Sequence, residues 1–303
     1  MKCNRIVLLL IALLMLCGAA LAEGGLRIVC TDFPCYDFAR HAAGEGAEVM
    51  LLLKPGLEAH SYDPTPADIL AIGEADLFVY IGGESDAWAD SILAGFDGGD
   101  GPVALAMMDC IEAPIEEDGE EHGHGDGPEY DEHIWTSPRN AAAMVEAVGA
   151  AMGEIDPGNA AVYAENAATY AGEILEIDGA LRALVDGAAR RTLVFADRFP
   201  FAYLVREYGL DYLAAFPSCT ADTEPSAQTV MALIQKVTEE KLPVVYTIEL
   251  STQAIARTVA EETGAQILTL QSMQTVSQDD FDAGKTYASI MRENIEALRK
   301  GLN

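Results

Sequence analysis

The sequence is poor in positive charge and in long apolar runs. Lysine and arginine number 18 against 49 aspartate and glutamate residues, so the formal net charge is −31. Such an acidic surface repels nucleic acid and anionic lipid and suits cations, although solubility alone also accounts for it. Beyond residue 22, no apolar run approaches the roughly 20 residues of a transmembrane helix. We therefore expect no nucleic-acid partner and no membrane-spanning segment.

Motifs typical of enzymes are also missing. The sequence contains no His-Glu-x-x-His, no Gly-x-Ser-x-Gly and no glycine-rich phosphate loop, which are signatures of zinc peptidases, serine hydrolases and nucleotide-binding enzymes. We therefore do not expect an enzyme. A metal-dependent hydrolase is kept as an alternative, because an open zinc site is typical of such enzymes as well.

The first residues have the pattern of an export signal. Two basic residues precede an apolar run from Ile6 to Leu16, and a small-x-small cleavage pattern ends at Ala22. We predict a signal peptide in residues 1–22 and an exported protein, in the periplasm or at the outer face of the cell membrane. Cys17 offers a lipid anchor as an alternative, but Leu16 before it disfavours lipidation, because lipoprotein signals carry a small residue there.

Four cysteines remain beyond this signal: Cys30, Cys35, Cys110 and Cys219. An exported protein can oxidise any of them, and their spacing leaves the disulfide pairing open. No Cys-x-x-Cys pair is present.

Short β-rich apolar runs alternate with helical patterns along the chain, which predicts parallel sheets covered by helices. The predicted strands fall in two sets of four: Leu26–Cys30, Glu48–Leu53, Leu77–Ile81 and Val103–Met107, then Thr192–Phe195, Tyr212–Phe216, Val244–Ile248 and Gln266–Leu270. The helical patterns between them are Tyr36–Ala43, Thr65–Gly73, Ala87–Ala94, Ala202–Tyr208, Ser226–Glu239 and Thr252–Thr263. We predict an α/β protein of two lobes, each a four-stranded parallel sheet flanked by helices.

A long helical pattern lies between the two sets of strands. Ala141–Met152 predicts one helix, and the stretch from Asn159 to Arg190, which has no proline, predicts a second. A 30-residue helix would be about 45 Å long, so we predict a rigid strut that joins the lobes. The expected boundaries are an N-terminal lobe at 23–156, a connecting helix at 157–190 and a C-terminal lobe at 191–303.

Residues 115–132 form an acidic, glycine-rich segment that is almost free of apolar residues and carries His122 and His124. This composition predicts a loop. Two interpretations stay open. The segment is a solvated acidic loop, or its histidines hold metal.

Only five histidines occur in the chain, and two of them lie in polar, proline-containing turns. His60 lies in GLEAHSYDPTP (residues 56–66), and His133 lies in DEHIWTSP (residues 131–138). Neutral imidazole is the commonest protein ligand of transition metals, proline stiffens the backbone, and ligands of parallel sheets bind beyond the carboxyl ends of strands. Either histidine alone is more often a surface residue, but the pair predicts two metal ligands.

These segments, in their order and spacing, resemble the solute-binding proteins of zinc and manganese ABC importers, the ZnuA-like or cluster A-I family. The likeness runs from about Leu26 to the C-terminus. It rests on residues 56–66, Ala75–Leu77 with Gly82, the acidic loop, His133–Pro138, Phe201–Tyr203 with Tyr208–Leu210, and Glu224–Ser226.

The resemblance implies two lobes joined by a long helix, with a metal ion held in the cleft and delivered to a permease. It also implies His60 and His133 as the first two ligands. The third ligand of the family, usually His or Glu, falls at Arg198, and the fourth, usually Asp, falls near Gln271. Arginine cannot coordinate a cation and glutamine is a weak neutral donor, so the C-terminal half of the site departs from the family pattern.

Several residues are candidates to replace the missing ligands or to support the site: Asp197, Cys219, Glu249, Gln271, His122 and His124. A thiolate at Cys219 would favour zinc or a softer metal. Structural roles are the alternatives. Arg198 would then pair with Asp197 or Glu249, and Cys219 would be buried or half of a disulfide.

The resemblance therefore leads us to expect an exported, monomeric metal-binding component of an ABC importer. The expected cargo ion is Zn²⁺, and Mn²⁺ is the alternative. Its partners would be the permease and ATPase subunits at the membrane. A surface adhesin with the same fold is the main alternative.

Overall fold

The computed structural model describes residues 25–96, 99, 101–111, 114–115, 130–216 and 225–303. The predicted signal at 1–22 with Cys17, the two loop histidines His122 and His124, and Cys219 lie outside the described residues. Within the described ranges, no helix combines the length and the apolar character needed to cross a bilayer.

The first sheet has four parallel strands in the order β2-β1-β3-β4. The strands are Leu26–Cys30 (β1), Ala47–Leu51 (β2), Leu77–Tyr80 (β3) and Val103–Ala106 (β4). Helices Phe33–Ala43 (α1), Pro66–Gly73 (α2) and Ala87–Leu93 (α3) follow the first three strands. All four residues of β3 are buried and apolar, as expected for a parallel strand that is covered on both faces.

The second sheet repeats this arrangement with the order β6-β5-β7-β8. Its strands are Thr192–Phe195 (β5), Asp211–Ala214 (β6), Val244–Thr247 (β7) and Gln266–Thr269 (β8). After the two connecting helices α4 and α5, which are described below, the helices of this half are Ala202–Tyr208 (α6), Ala227–Glu240 (α7), Ala254–Thr263 (α8), Gln278–Asp282 (α9) and Tyr287–Leu302 (α10). Two four-stranded parallel sheets flanked by helices confirm the predicted fold class.

Two helices connect the sheets: Pro138–Ile155 (α4) and Ala160–Asp186 (α5). Helix α5 has 27 residues, which corresponds to about 40 Å. It packs against α1 and α4 of the first half and against α10 of the second. One apolar core runs along it, from Phe38 in α1 through Ile174 in α5 to Tyr246 in β7.

A buried carboxylate joins three of these helices. Asp37 of α1 is fully buried and accepts hydrogen bonds from the Tyr170 hydroxyl of α5 at 2.5 Å and from the Tyr287 backbone N–H of α10 at 2.9 Å. The Arg40 guanidinium pairs with it at 3.0 Å. Since an unpaired buried charge is costly, this cluster favours the arrangement in which the C-terminal helix docks on the first half.

The structure differs from the sequence predictions mainly at element ends and at the C-terminus. Six predicted strands differ from the observed bounds by one or two residues at one or both ends, and the connecting helix ends at Asp186 rather than at Arg190. Helices α9 and α10 were not predicted. Helix α10 begins with a capping box in which Thr286 and Ser289 exchange side-chain-to-backbone hydrogen bonds, a start signal that the sequence contained.

The crossing of α4 and α5 depends on a small residue. A Cβ at Gly149 would lie 2.6 Å from the Ala167 Cβ and 3.1 Å from the Tyr163 carbonyl oxygen, whereas a Cβ at Gly172 meets no described atom within 4 Å. We expect Gly149→Ala to lower the free energy of unfolding by about 1–3 kcal/mol through overpacking. Gly172→Ala should raise it by about 0.4–1 kcal/mol, because it restricts the unfolded chain.

Urea denaturation of the two variants and the parent protein measures both effects. Equal free energies of unfolding for the two variants would contradict the close helix contact.

Candidate metal centre

The His60 turn is stiffened on both sides. Before it, the chain leaves β2 and turns at Gly56, which has a φ of +81° and donates its N–H to the Val276 carbonyl at 2.8 Å. His60 itself lies in a short 3₁₀ turn, Ala59–Ser61. After it, Thr65 caps α2 with a capping box. The turn therefore has little freedom to move the imidazole.

The His133 turn is held by hydrogen bonds to its own neighbours. One Asp131 carboxylate oxygen accepts from the His133 backbone N–H at 2.8 Å and lies 3.1 Å from its Nδ1. The Thr136 hydroxyl donates to the His133 carbonyl at 2.8 Å. The Trp135 indole N–H donates to the Ser272 carbonyl at 2.7 Å, which ties this turn to the second half of the molecule.

The two histidines meet in space, although they lie 73 positions apart in the chain. Their ring centroids are 5.8 Å apart. One ligand atom from each of His60, Glu132 and His133 lies within 4.8 Å of the others. Glu132 and His133 are buried, and the His60 side chain is 13% exposed. Zinc accepts such a mixture of imidazole and carboxylate ligands.

Sequence reasoning missed Glu132, although it directly precedes His133. The backbone around Gly83 approaches this carboxylate so closely that a Cβ at Gly83 would lie 2.4 Å from it. The next turn then binds it: Ser85 donates its backbone N–H at 2.9 Å and its hydroxyl to the two Glu132 oxygens. A glycine pair after a predicted strand, Gly82-Gly83, was the only local signal for this contact.

Hydrogen bonds fix the tautomers of both rings. A carboxylate only accepts, so the contact between Asp131 and the His133 Nδ1 requires a proton on that nitrogen. The Ser85 hydroxyl has one proton, which it gives to Glu132, so it accepts from the His60 Nδ1 at 2.8 Å. In both neutral rings the lone pair is therefore on Nε2. The Nε2 of His60 is buried and has no hydrogen-bond partner among the described residues.

The surroundings of His60 favour the neutral ring that a metal needs. Burial lowers the pKa of His60 below its usual value of 6.5, and the charges of His133 and Arg198 act in the same direction. The Glu132 and Glu58 carboxylates oppose this shift but do not cancel it. The imidazole therefore stays neutral and able to coordinate a cation at neutral pH.

Two buried aspartates support the strand ends beneath the site. Asp86 accepts from the Ile81 backbone N–H at 2.6 Å and from the Thr31 hydroxyl at 3.2 Å. Burial raises its pKa to about 6. Asp32 caps α1, and burial together with the charge of Asp86 raises its pKa to about 8. Asp86 therefore holds the turn that carries Ser85, and Asp32 fixes the start of α1.

The opposite wall of the cleft comes from the second half. The Arg198 guanidinium lies 2.7 Å from the Glu58 carboxylate, across the cleft, a partner that was not among the two predicted for it. Burial alone would raise the pKa of Glu58, but the hydrogen bond and charge of Arg198 outweigh it and lower that pKa. The Gln274 amide donates to Glu132 at 3.1 Å. An ion pair and a hydrogen bond therefore cross the cleft beside the histidines.

The remaining predicted residues occupy different places. Asp197 accepts from the backbone N–H groups of Arg198 at 3.0 Å and Ile248 at 3.5 Å. Gln271 exchanges backbone hydrogen bonds with the Asn294 side chain at 2.9 and 2.8 Å, and Gln274 lines the cleft instead. Glu249 also lines the cleft, where it accepts from Ser272. The structure therefore brings Glu249, but not Asp197, to the cleft wall.

Comparison with known proteins matches this arrangement to one family. A family model described as zinc-uptake complex component A, periplasmic (ZnuA), matches residues 28–301. The chain belongs to the ZnuA family. Members of that family are metal-binding components of transport systems rather than enzymes.

Individual relatives are similar over nearly the whole chain. The zinc-binding lipoprotein AdcA of Streptococcus pneumoniae strain R6 is 31% identical over 283 residues, which cover 92% of this chain but 56% of AdcA. The high-affinity zinc uptake system protein ZnuA of Bacillus subtilis is 29% identical over 290 residues, covering 94% of this chain and 90% of that protein. The chain thus spans about half the length of AdcA.

A solved structure extends the similarity to the fold. The Zn(II)-bound ZnuA-like domain of S. pneumoniae AdcA superposes with a TM-score of 0.76 at 29% identity, covering 92% of this chain and 99% of that domain. The two-sheet architecture is therefore that of a ZnuA-like domain.

The environment of His60 predicts an unusual titration. Because its burial lowers its pKa, the metal-free protein should show a midpoint for the His60 ring below pH 6.5. A pH titration of the histidine ring protons by ¹H NMR measures it, with His60→Gln assigning the resonance by its loss. A midpoint at or above 6.5 would contradict the described packing around the ring.

Proposed function

We propose that this protein captures a zinc ion outside the cytoplasm and delivers it to the permease of an ABC importer. The observation that carries the proposal is the pair of imidazoles, His60 and His133, whose ring centroids are 5.8 Å apart and whose hydrogen bonds at Nδ1 put the lone pair of each neutral ring on Nε2. Glu132 lies within reach of the same ion. Membership of the ZnuA family supports the transport role.

The donor set favours zinc over manganese. Two imidazole nitrogens and one carboxylate suit Zn²⁺, whereas Mn²⁺ prefers carboxylate, carbonyl and water oxygens. We therefore place Mn²⁺ second. The hydrogen bonds from Asp131 to His133 and from His60 to Ser85 would orient the rings in the ion-bound form, as partners of metal-bound histidines usually do.

Delivery requires partners and a location outside the cytoplasm. We propose that a membrane permease, which works with an ATPase subunit, receives the ion, and that the protein acts as an exported monomer in the periplasm or at the outer face of the membrane. The AdcA relative is described as a lipoprotein, which keeps an anchor at Cys17 as the alternative to cleavage after Ala22.

The two histidines provide the direct test. We expect His60→Ala and His133→Ala each to weaken zinc binding by at least about 100-fold, because each removes a ligand rather than an orienting contact. The double variant should bind no zinc at micromolar concentrations. Isothermal titration calorimetry on chelator-treated protein measures this, and His41→Gln, which lies on α1 with its ring stacked on Tyr170, is the control. Unchanged zinc affinity in the double variant would refute the proposal.

An uptake assay separates transport from the alternatives. A strain without this protein should fail to grow in zinc-starved medium and recover on added zinc. Normal growth there would favour the surface adhesin. Turnover of ester or phosphoester substrates by the zinc form, abolished by a chelator, would instead favour a metal-dependent hydrolase.

A further inference from the structure

The proposed zinc ligands all come from the first half of the molecule. Zinc sites that hold their ion without an open position usually have four ligands, and His60, Glu132 and His133 supply three. Ligands of parallel sheets come from the carboxyl ends of the strands. The second sheet presents such an end at β7, where Thr247 and Ile248 lead to Glu249.

The described residues that line the cleft from the second half offer one anionic group. The polar members of that wall are Arg198, Glu249, Ser272, Gln274 and Thr275. Arginine has no lone pair to donate, and the Gln274 side chain offers only a neutral amide oxygen, a ligand that suits harder cations than zinc. Hydroxyls are weaker zinc ligands than carboxylates. Glu249 is the remaining choice on this wall.

A continuous set of contacts positions Glu249 relative to His133. Trp135, two residues after His133, donates its indole N–H to the Ser272 carbonyl at 2.7 Å. Ser272 in turn donates its backbone N–H to one Glu249 oxygen at 2.7 Å and its hydroxyl to the other. The next residue, Leu250, has a φ of +58°, a strained conformation of the kind that clusters at functional sites.

The balance of charges in the cleft also favours the binding of a divalent cation. The carboxylate of Glu58 is matched by Arg198 at 2.7 Å. That leaves Glu132, which is buried, and Glu249, which is partly buried, as two further carboxylates on facing walls near one pair of imidazoles. Buried carboxylates are stable when a cation neutralises them, and one Zn²⁺ would neutralise two.

We propose that Glu249 is the ligand that the second half contributes, so that zinc is held across the cleft by His60, His133, Glu132 and Glu249. This inference rests on the proposed function. On binding, one Glu249 oxygen exchanges the Ser272 hydroxyl for the ion, and the other keeps the Ser272 backbone N–H as an orienting contact. Glu249 differs from both positions, Arg198 and Gln271, at which the resemblance places the family's ligands.

Substitutions separate a ligand from a structural carboxylate. Glu249→Gln should weaken zinc binding by at least about 100-fold, more than the 10–100-fold typical of an orienting contact. Ser272→Ala removes the hydroxyl but keeps the carboxylate, so it should change the affinity by less than about tenfold. Glu262→Gln makes the same exchange on the exposed face of α8 and should leave the affinity unchanged. Competition with a chromophoric chelator measures all four proteins.

The cobalt form gives a readout that a structural role would not change. In the Co²⁺-substituted protein, loss of a ligand should shift and weaken the visible bands of Glu249→Gln, whereas Ser272→Ala should keep the parent spectrum. If Glu249→Gln binds zinc within tenfold of the parent, or if Ser272→Ala reproduces its spectrum and its loss of affinity, Glu249 is not a ligand.

If Glu249→Gln does not fold, a structure of the unaltered protein with bound zinc decides whether Glu249 is a ligand. A Glu249 oxygen should lie about 2.0–2.2 Å from the ion, and a distance beyond hydrogen-bonding range would overturn the inference. Zinc bound by the two histidines without Glu249 leaves the proposed function intact. If the parent protein binds no zinc, the proposed function itself fails.

Discussion

The hydrogen bonds to the Nδ1 atoms of His60 and His133 are the constraint on which the rest of the site depends. Each bond puts a proton on Nδ1 and leaves a lone pair on Nε2. An imidazole in a buried site is stable only if its polar atoms find partners. Asp131 and Ser85 supply one for the Nδ1 of each ring, and a metal ion is the partner that suits the buried Nε2 of His60, which has no hydrogen-bond partner among the described residues.

The framework keeps these bonds aligned because both halves of the molecule share packing and polar contacts. Asp37 connects the first half to α5 and α10, and Trp135 connects the His133 turn to Ser272. One apolar core extends through both halves. The position of the cleft is therefore set by close packing, and adjustment to an ion is expected in side chains such as Glu249 rather than in the sheets.

Most of the fold could be predicted from the sequence because its signals are local. The buried strands are short apolar runs, and the connecting helix has a clear three-to-four-residue period with no proline. The ends of strands were less predictable, since they depend on which neighbours pair. Helix α10 was missed, although its capping residue Thr286 is a local signal.

The site residues also fall into those with a local signal in the sequence and those without one. His60 and His133 could be predicted because each lies in a recognisable turn, and their role as ligands stays a prediction. Three features could not be predicted: the part of Glu132 in the cluster, the ion pair of Arg198 with Glu58, and the position of Gln274. Each depends on contacts between residues far apart in the chain. A single sequence indicates which residue types suit a metal, but not which of them face each other.

The central claim is that two Nε2 atoms bind one zinc ion, and long-range ¹H–¹⁵N NMR of the histidine rings tests it most directly. On addition of one equivalent of zinc, the Nε2 resonances of His60 and His133 should shift together, while Nδ1 stays protonated in both rings and His41 is unaffected. Unchanged Nε2 resonances, or zinc bound through Nδ1, would contradict the account.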